Sequence, residues 1–174
     1  MKIELDLIPL NEVDNKIIDA LKDELKEKNF IVRIFAKMNL PKTALNFYRK
    51  QYNAEIIIDV LRTMEGYIIG LTEKDLYVRG SNFVFSVAEY DCPCVISIFR
   101  LNPIFYKESQ DFNLLINRLV KEVLYCIGKI KGLKDCTNPK CIMYRAKSVR
   151  DIDFKEKNFC NDCKINNILE GIEL

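Results

Sequence analysis

Tyr125-Cys126-Ile127-Gly128-Lys129-Ile130-Lys131-Gly132-Leu133-Lys134-Asp135-Cys136, running on through Thr137-Asn138-Pro139-Lys140-Cys141-Ile142-Met143, marks the place where a long helix gives way to a cysteine-rich segment. Reading backward, Phe112, Leu115, Ile116, Leu119, Val120, Val123, Leu124 and Ile127 recur at helical spacing. They predict an amphipathic helix over 110–130, capped by Ser109 and stopped at Gly132. Reading forward, the pair Cys136/Cys141 is followed after an eighteen-residue gap by Cys160-Asn161-Asp162-Cys163. Two tight cysteine pairs joined by a loop suit a tetrahedral thiolate zinc site with bonds of about 2.3 Å, each pair supplying one side of the ion. The chain contains no histidine, so no imidazole can share in such a site.

Outward from this stretch the pattern is mixed α/β. Residues 3–8 alternate as a strand, and Val13, Ile17, Leu21 and Leu25 predict a helix over 12–28. Residues 30–35 read as a second strand that closes a β-α-β unit. Residues 39–50 are irregular and basic. Asn53 is a natural cap for a helix bearing Ile56, Ile57, Val60, Leu61 and Met64, and Gly66 ends it. Strands follow at 67–71, 82–89 and 94–100, the last two joined by an Asp91-Cys92-Pro93 turn. The expected fold is α/β (α+β): a twisted mixed sheet of four to five strands with packed helices. The chain divides into a core at 1–132 and a cysteine-rich zinc subdomain at 133–174, together forming one compact domain.

Composition sets limits on function. An apolar fraction of 49% supplies a sizeable core without help from disulfides. Seven cysteines, an odd number, argue against a secreted disulfide framework. The first ten residues lack the features of a secretory signal, and no apolar run approaches the roughly 20 residues that cross a bilayer. A cytoplasmic protein is expected. The net charge of +2 makes the whole chain a poor general binder of nucleic acid. Residues 129–164 hold ten basic side chains against five acidic ones, which four zinc thiolates would partly offset.

The quoted stretch is similar to the signature of the archaemetzincins, a metzincin-clan family of zinc peptidases. Their pattern is approximately HExxHxxGxxHC, then x4-C-x-M, then CxxC after a gap of about seventeen residues. Arg49-Lys50-Gln51-Tyr52-Asn53, Leu71-Thr72 through Asp75-Leu76-Tyr77, Asn82-Phe83-Val84-Phe85, Phe99-Arg100-Leu101 and Phe105-Tyr106 also resemble segments of that family. The likeness therefore extends over nearly the whole chain and implies a zincin-like fold.

The same resemblance shows what is missing. Tyr125 stands where the family has its first zinc-binding histidine, Cys126 where it has the general-base glutamate, and Lys129 and Asp135 where it has the second and third histidines. An active zincin needs imidazoles to hold the ion, and a carboxylate to take the proton of its bound water. A lysine ammonium offers no lone pair. Lys121-Glu122 does not replace the motif, because its register against Cys136 is four residues off. The resemblance thus implies a pseudo-metallopeptidase with one structural zinc at Cys136, Cys141, Cys160 and Cys163.

Each of these residues also has a plainer reading. Cys160-x2-Cys163 could be a redox pair, although no βαβ context surrounds it. Met143 falls at the family's Met-turn, and with the catalytic metal gone its role is core packing. Cys126 is a packed thiol, and Cys92 and Cys94 are structural. Tyr125 and Lys129 lie one helical turn apart, and Lys129 could pair with Asp135 across the vacated site. The resemblance implies that Asn82, Phe83, Val84 and Phe85 form an edge strand able to pair with an extended peptide or protein segment. Two other functions remain: a metal-dependent hydrolase using Asp135, Tyr125 and Cys126, or zinc-ribbon nucleic-acid binding through the basic tail.

Overall fold

A computed structural model describes residues 3–165. The elements in order are β1 (Glu4–Pro9), α1 (Asn15–Glu27), β2 (Ile31–Ile34), β3 (Leu45–Asn46), β4 (Gln51–Asn53), α2 (Ala54–Leu61), β5 (Tyr67–Thr72) and β6 (Leu76–Tyr77). They continue with β7 (Ser86–Val87), β8 (Cys94–Ser97), α3 (Phe112–Ile130), α4 (Val149–Phe154) and α5 (Asn161–Ile165).

Period-two alternation arranges the layers. In β1, Leu5 and Leu7 face the cluster shared with α1 and α3, while Ile8 faces the cluster shared with α2. Ile69 and Leu71 against Ile68 in β5, and Cys94 and Ile96 against Val95 in β8, repeat the division. A sheet covered on both faces needs apolar residues at successive positions, which is why Leu7-Ile8, Ile68-Ile69 and Cys94-Val95-Ile96 run consecutively. The five-stranded sheet has the order β2-β1-β5-β8-β7. All neighbours are parallel except β7, which runs antiparallel to β8 at the edge. β1-α1-β2 is the expected β-α-β unit. Asp6, buried in β1, is neutralised by a two-pronged bond from Arg33 of β2, at 2.6 and 2.9 Å.

Three details differ from the sequence reading. A second sheet of order β3-β4-β6 forms from two- and three-residue strands, too short to show any periodicity. The cap of α3 is Asp111, not Ser109: its carboxylate accepts from Leu114 N–H at 2.9 Å. A charged acceptor at the positive end of the helix outcompetes a hydroxyl two residues earlier. The strand expected over 82–89 is confined to Ser86–Val87, with one further bridge from Val84 to Leu76. Around Phe85 the chain crosses from the small sheet to the large one, so no single ladder can span it.

Residues 133–165 are anchored to α3. Ile142, Met143, Ile152 and Phe159 lie in the same apolar cluster as its buried face. Arg118 forks onto Asp153 at 2.7 Å with both nitrogens. Lys121 donates to the Ile152 and Asp153 carbonyls at the C-terminal end of α4, where the helix dipole favours a cation. Residues 166–174, the end of the expected second subdomain, lie outside the described residues.

Candidate functional site

α3 buries nearly its whole circumference, and its end is built by two glycines. Gly132 N–H bonds the Lys129 carbonyl and Leu133 N–H bonds the Gly128 carbonyl, both at 2.9 Å. This is a Schellman termination, and Gly132 occupies its left-handed position at φ +94°. Gly128 is required for a different reason. A Cβ there would collide with Met143 Sδ and stand 2.9 Å from its Cε. Met143 is fully buried and seals the underside of the helix as the sequence reading expected.

The termination turns Asp135 back beneath the last turns of α3. Tyr125 Oη donates to Asp135 Oδ1 at 2.8 Å, and Lys129 Nζ donates to the same oxygen at 2.9 Å. The first, second and third ligand positions of the resembled motif are therefore brought together, but they bond one another. Burial pushes the Tyr125 hydroxyl far up, and its bond to Asp135 adds to the shift. Burial also works against the Asp135 carboxylate, but the bonds from Lys129 and Tyr125 outweigh it and hold the group below its usual range. Cys126 is not part of this cluster. It lies in the core with no exposed surface, beside Cys94, whose thiol burial pushes well up. The set Asp135, Tyr125 and Cys126 is therefore not assembled around one point.

One turn earlier lies a group that the sequence reading passed over. Glu122 Oε1 accepts from Lys155 Nζ at 2.9 Å and Oε2 accepts from Ser86 Oγ at 2.8 Å, with the Lys155 side chain fully buried. The Lys155 ammonium also stands 4.9 Å from the centre of the Tyr125 ring. The available signal was three charged residues, Arg118, Lys121 and Glu122, inside an apolar stripe. Each is buried and has a partner.

Above these residues runs a cleft made of two adjoining cavities of about 380 and 500 Å³, with Val78, Val84, Ser86, Tyr125 and Arg145 common to both. Its wall is β7 and the segment before it. Asn82 to Phe85, expected as a free edge, are already engaged. Arg49 and Gln51 bond the Asn82 carbonyl, Val84 N–H bonds Leu76, and the Phe85 carbonyl accepts from Ser97 N–H at 2.8 Å. That last bond makes Phe85 and Ser97 a hydrogen-bonded pair, so the N–H and C=O of Ser86 point to the open side. The edge available for pairing is thus displaced to Ser86.

The four cysteines of the tail converge. The Sγ atoms of Cys136, Cys141, Cys160 and Cys163 all lie within 4.8 Å of one another. Cys136 and Cys160 are 3.7 Å apart, close to the edge of about 3.8 Å that a tetrahedron with 2.3 Å bonds requires. Backbone N–H groups of Asn138 and Cys160 approach the sulfurs of Cys136 and Cys141 at 3.4 Å, as suits thiolates. Burial pushes the Cys141 and Cys163 thiols up, whereas a backbone bond from Cys163 draws Cys160 down. A divalent ion taking all four as thiolates displaces their protons. Four soft ligands at this spacing fit zinc, and they leave no position open for substrate.

Known proteins resemble this chain over most of its length. The profile of Peptidase family M54 matches residues 3–167. The archaemetzincin of Methanocaldococcus jannaschii is 35% identical over 156 residues, which span 89% of this chain and 87% of that protein. The crystal structure of archaemetzincin from Archaeoglobus fulgidus complexed with malonate superposes with a TM-score of 0.82 at 33% identity, covering 94% of this chain and 99% of that one. Archaemetzincin from Methanopyrus kandleri gives 0.80 at 31% identity, covering 95% and 93%.

Proposed function

The chain belongs to the archaemetzincins, the zinc peptidases of Peptidase family M54, and from that membership we propose that it is a non-catalytic member which keeps one structural zinc and binds peptide. The observation that carries this reading is the shared Asp135 oxygen, with Tyr125 and Lys129 both bonded to it. A zinc ion at this point would have to break both bonds and approach an ammonium group. No imidazole would compensate it, and Glu122, the carboxylate one turn away, is already held by Lys155 and Ser86. Cys136, Cys141, Cys160 and Cys163 would hold zinc as a cross-link between the Met143 turn and α5. Bound there, the ion supplies structural stability, as a closed four-sulfur site does.

What persists without the catalytic metal is the cleft and its edge. Ser86 presents backbone groups to an extended segment, which would add a strand beyond β7. The test has two parts. Purified protein is expected to carry about one zinc per chain and to leave a peptide library uncleaved. Zinc near two per chain, or any chelator-sensitive cleavage, would overturn the loss of catalysis. Ser86→Pro removes the edge N–H, and peptide binding that survives this change would overturn strand addition.

A further inference from the structure

Charges along the cleft are unequally matched. Each carboxylate in its lining has a partner. Glu122 is held by Lys155 and Asp135 by Lys129 and Tyr125. Glu89 lies 3.9 Å from Arg62, and Glu55 accepts from Arg79 N–H at 3.4 Å. The cations differ. Among the described residues, Arg145, Lys147 and Lys134 make no ion pair and no side-chain hydrogen bond, and all three are exposed along the cleft. Lys147 meets Asp151 through its backbone N–H, at 2.9 Å, which leaves its ammonium unengaged. Arg145 lines both cavities and shares each with Ser86, so an unmatched cation stands across the cleft from the open strand edge.

We propose that the ligand of this cleft is an acidic peptide, extended along Ser86, with carboxylate side chains received by Arg145 and Lys147. The inference rests on the strand-addition reading above and adds the chemical class of the ligand to it. An extended peptide sends alternate side chains to the same side, so acidic residues two apart face this wall together. Neither Arg145 nor Lys147 is buried, so a ligand carboxylate pairs with them at little desolvation cost. The apolar surface of Val78 and Val84 receives the side chains between.

The probe is a capped hexapeptide, acetyl-Val-Glu-Thr-Glu-Val-Thr-amide, compared with its twin in which both glutamates are glutamine. The zinc-loaded full chain is expected to bind the acidic peptide about five- to twentyfold tighter than the twin at low salt. That preference is expected to fade at about 0.5 M salt. It should also disappear in the Arg145→Ala/Lys147→Ala variant, whose two exposed positions leave folding intact. Equal binding of the twins would overturn the acidic preference while leaving strand addition in place. Binding of neither peptide would overturn both. Displacement of the acidic peptide by a single-stranded oligonucleotide that binds more tightly would reassign the cations to nucleic acid and overturn the proposal.

Discussion

Lys155→Met tests how the cysteine-rich tail is attached to α3. The Lys155 side chain is 0% exposed and Glu122 is 4% exposed, with the two charges 2.9 Å apart. Methionine has nearly the same length and fills the same channel, so the substitution removes the charge and leaves little void. Glu122 then keeps only the Ser86 hydroxyl as a partner. Removing one partner of a buried ion pair costs about 3–5 kcal/mol, because the remaining charge is uncompensated in a poorly solvated place. With an unfolding entropy of about 2.1 cal/mol/K per residue, 174 residues give roughly 0.37 kcal/mol/K. The expected fall in Tm is therefore about 8–14 °C, measured by calorimetry with zinc in excess so that metal loss does not contribute. The double variant Glu122→Gln/Lys155→Met removes both charges and keeps an acceptor for Ser86. It is expected to recover at least about 1 kcal/mol of the loss, since paired charges and their neutral replacements are often close in stability. A single variant within about 1 kcal/mol of wild type, or a double variant as weak as the two singles added together, would refute the reasoning.

Further expectations concern the tail, the Tyr125–Lys129–Asp135 cluster and the helix end. Cys141→Ser, at the most buried of the four sulfurs, is expected to lower bound zinc from about one per chain to less than half, by elemental analysis. It is also expected to make the tail the first region to exchange amide hydrogens. Asp135→Asn probes the depressed carboxylate. A folded pKa below the unfolded value contributes stability above the unfolded value, near 3.8, and loses it as pH falls through the folded one. The gap between wild type and Asp135→Asn is thus expected to be level above about pH 5 and to close below about pH 4 in denaturant titrations; a gap that widens toward acid would contradict the assignment. Gly128→Ala drives a methyl into Met143 and is expected to cost about 1–3 kcal/mol by overpacking, with Met143→Ala in the same chain relieving part of it.

Much of the fold was legible because local and long-range demands coincide in these residues. The alternation in β1, the apolar run of β5, the cap at Asn53, which accepts from Glu55 N–H at 2.8 Å, and the glycine ending α3 each follow from period, burial, hydrogen-bond capacity or permitted φ. The cysteine spacing likewise indicated a four-sulfur cluster before the sulfurs were seen within 4.8 Å of one another. Other features were hidden for a physical reason. Ser109 and Asp111 are both competent caps, and only the position of the Leu114 N–H decides between them. The two-residue strands β3 and β6 are held by partners across the fold and have no pattern of their own.

The sequence by itself determined that this chain has the archaemetzincin signature without its imidazoles, because residue identity alone decides whether a lone pair is available to a metal. It also determined that four sulfurs stand in two close pairs. Tertiary structure alone decided what the replacements do. It placed Tyr125 and Lys129 on one oxygen of Asp135, turned Cys126 toward Cys94, and buried Lys155 against Glu122 across a separation of thirty-three residues. It also moved the open edge from Asn82–Phe85 to Ser86, since hydrogen-bond parity depends on which neighbouring strand each residue faces. Such pairings are set by the path of the chain in space, and no local period records them.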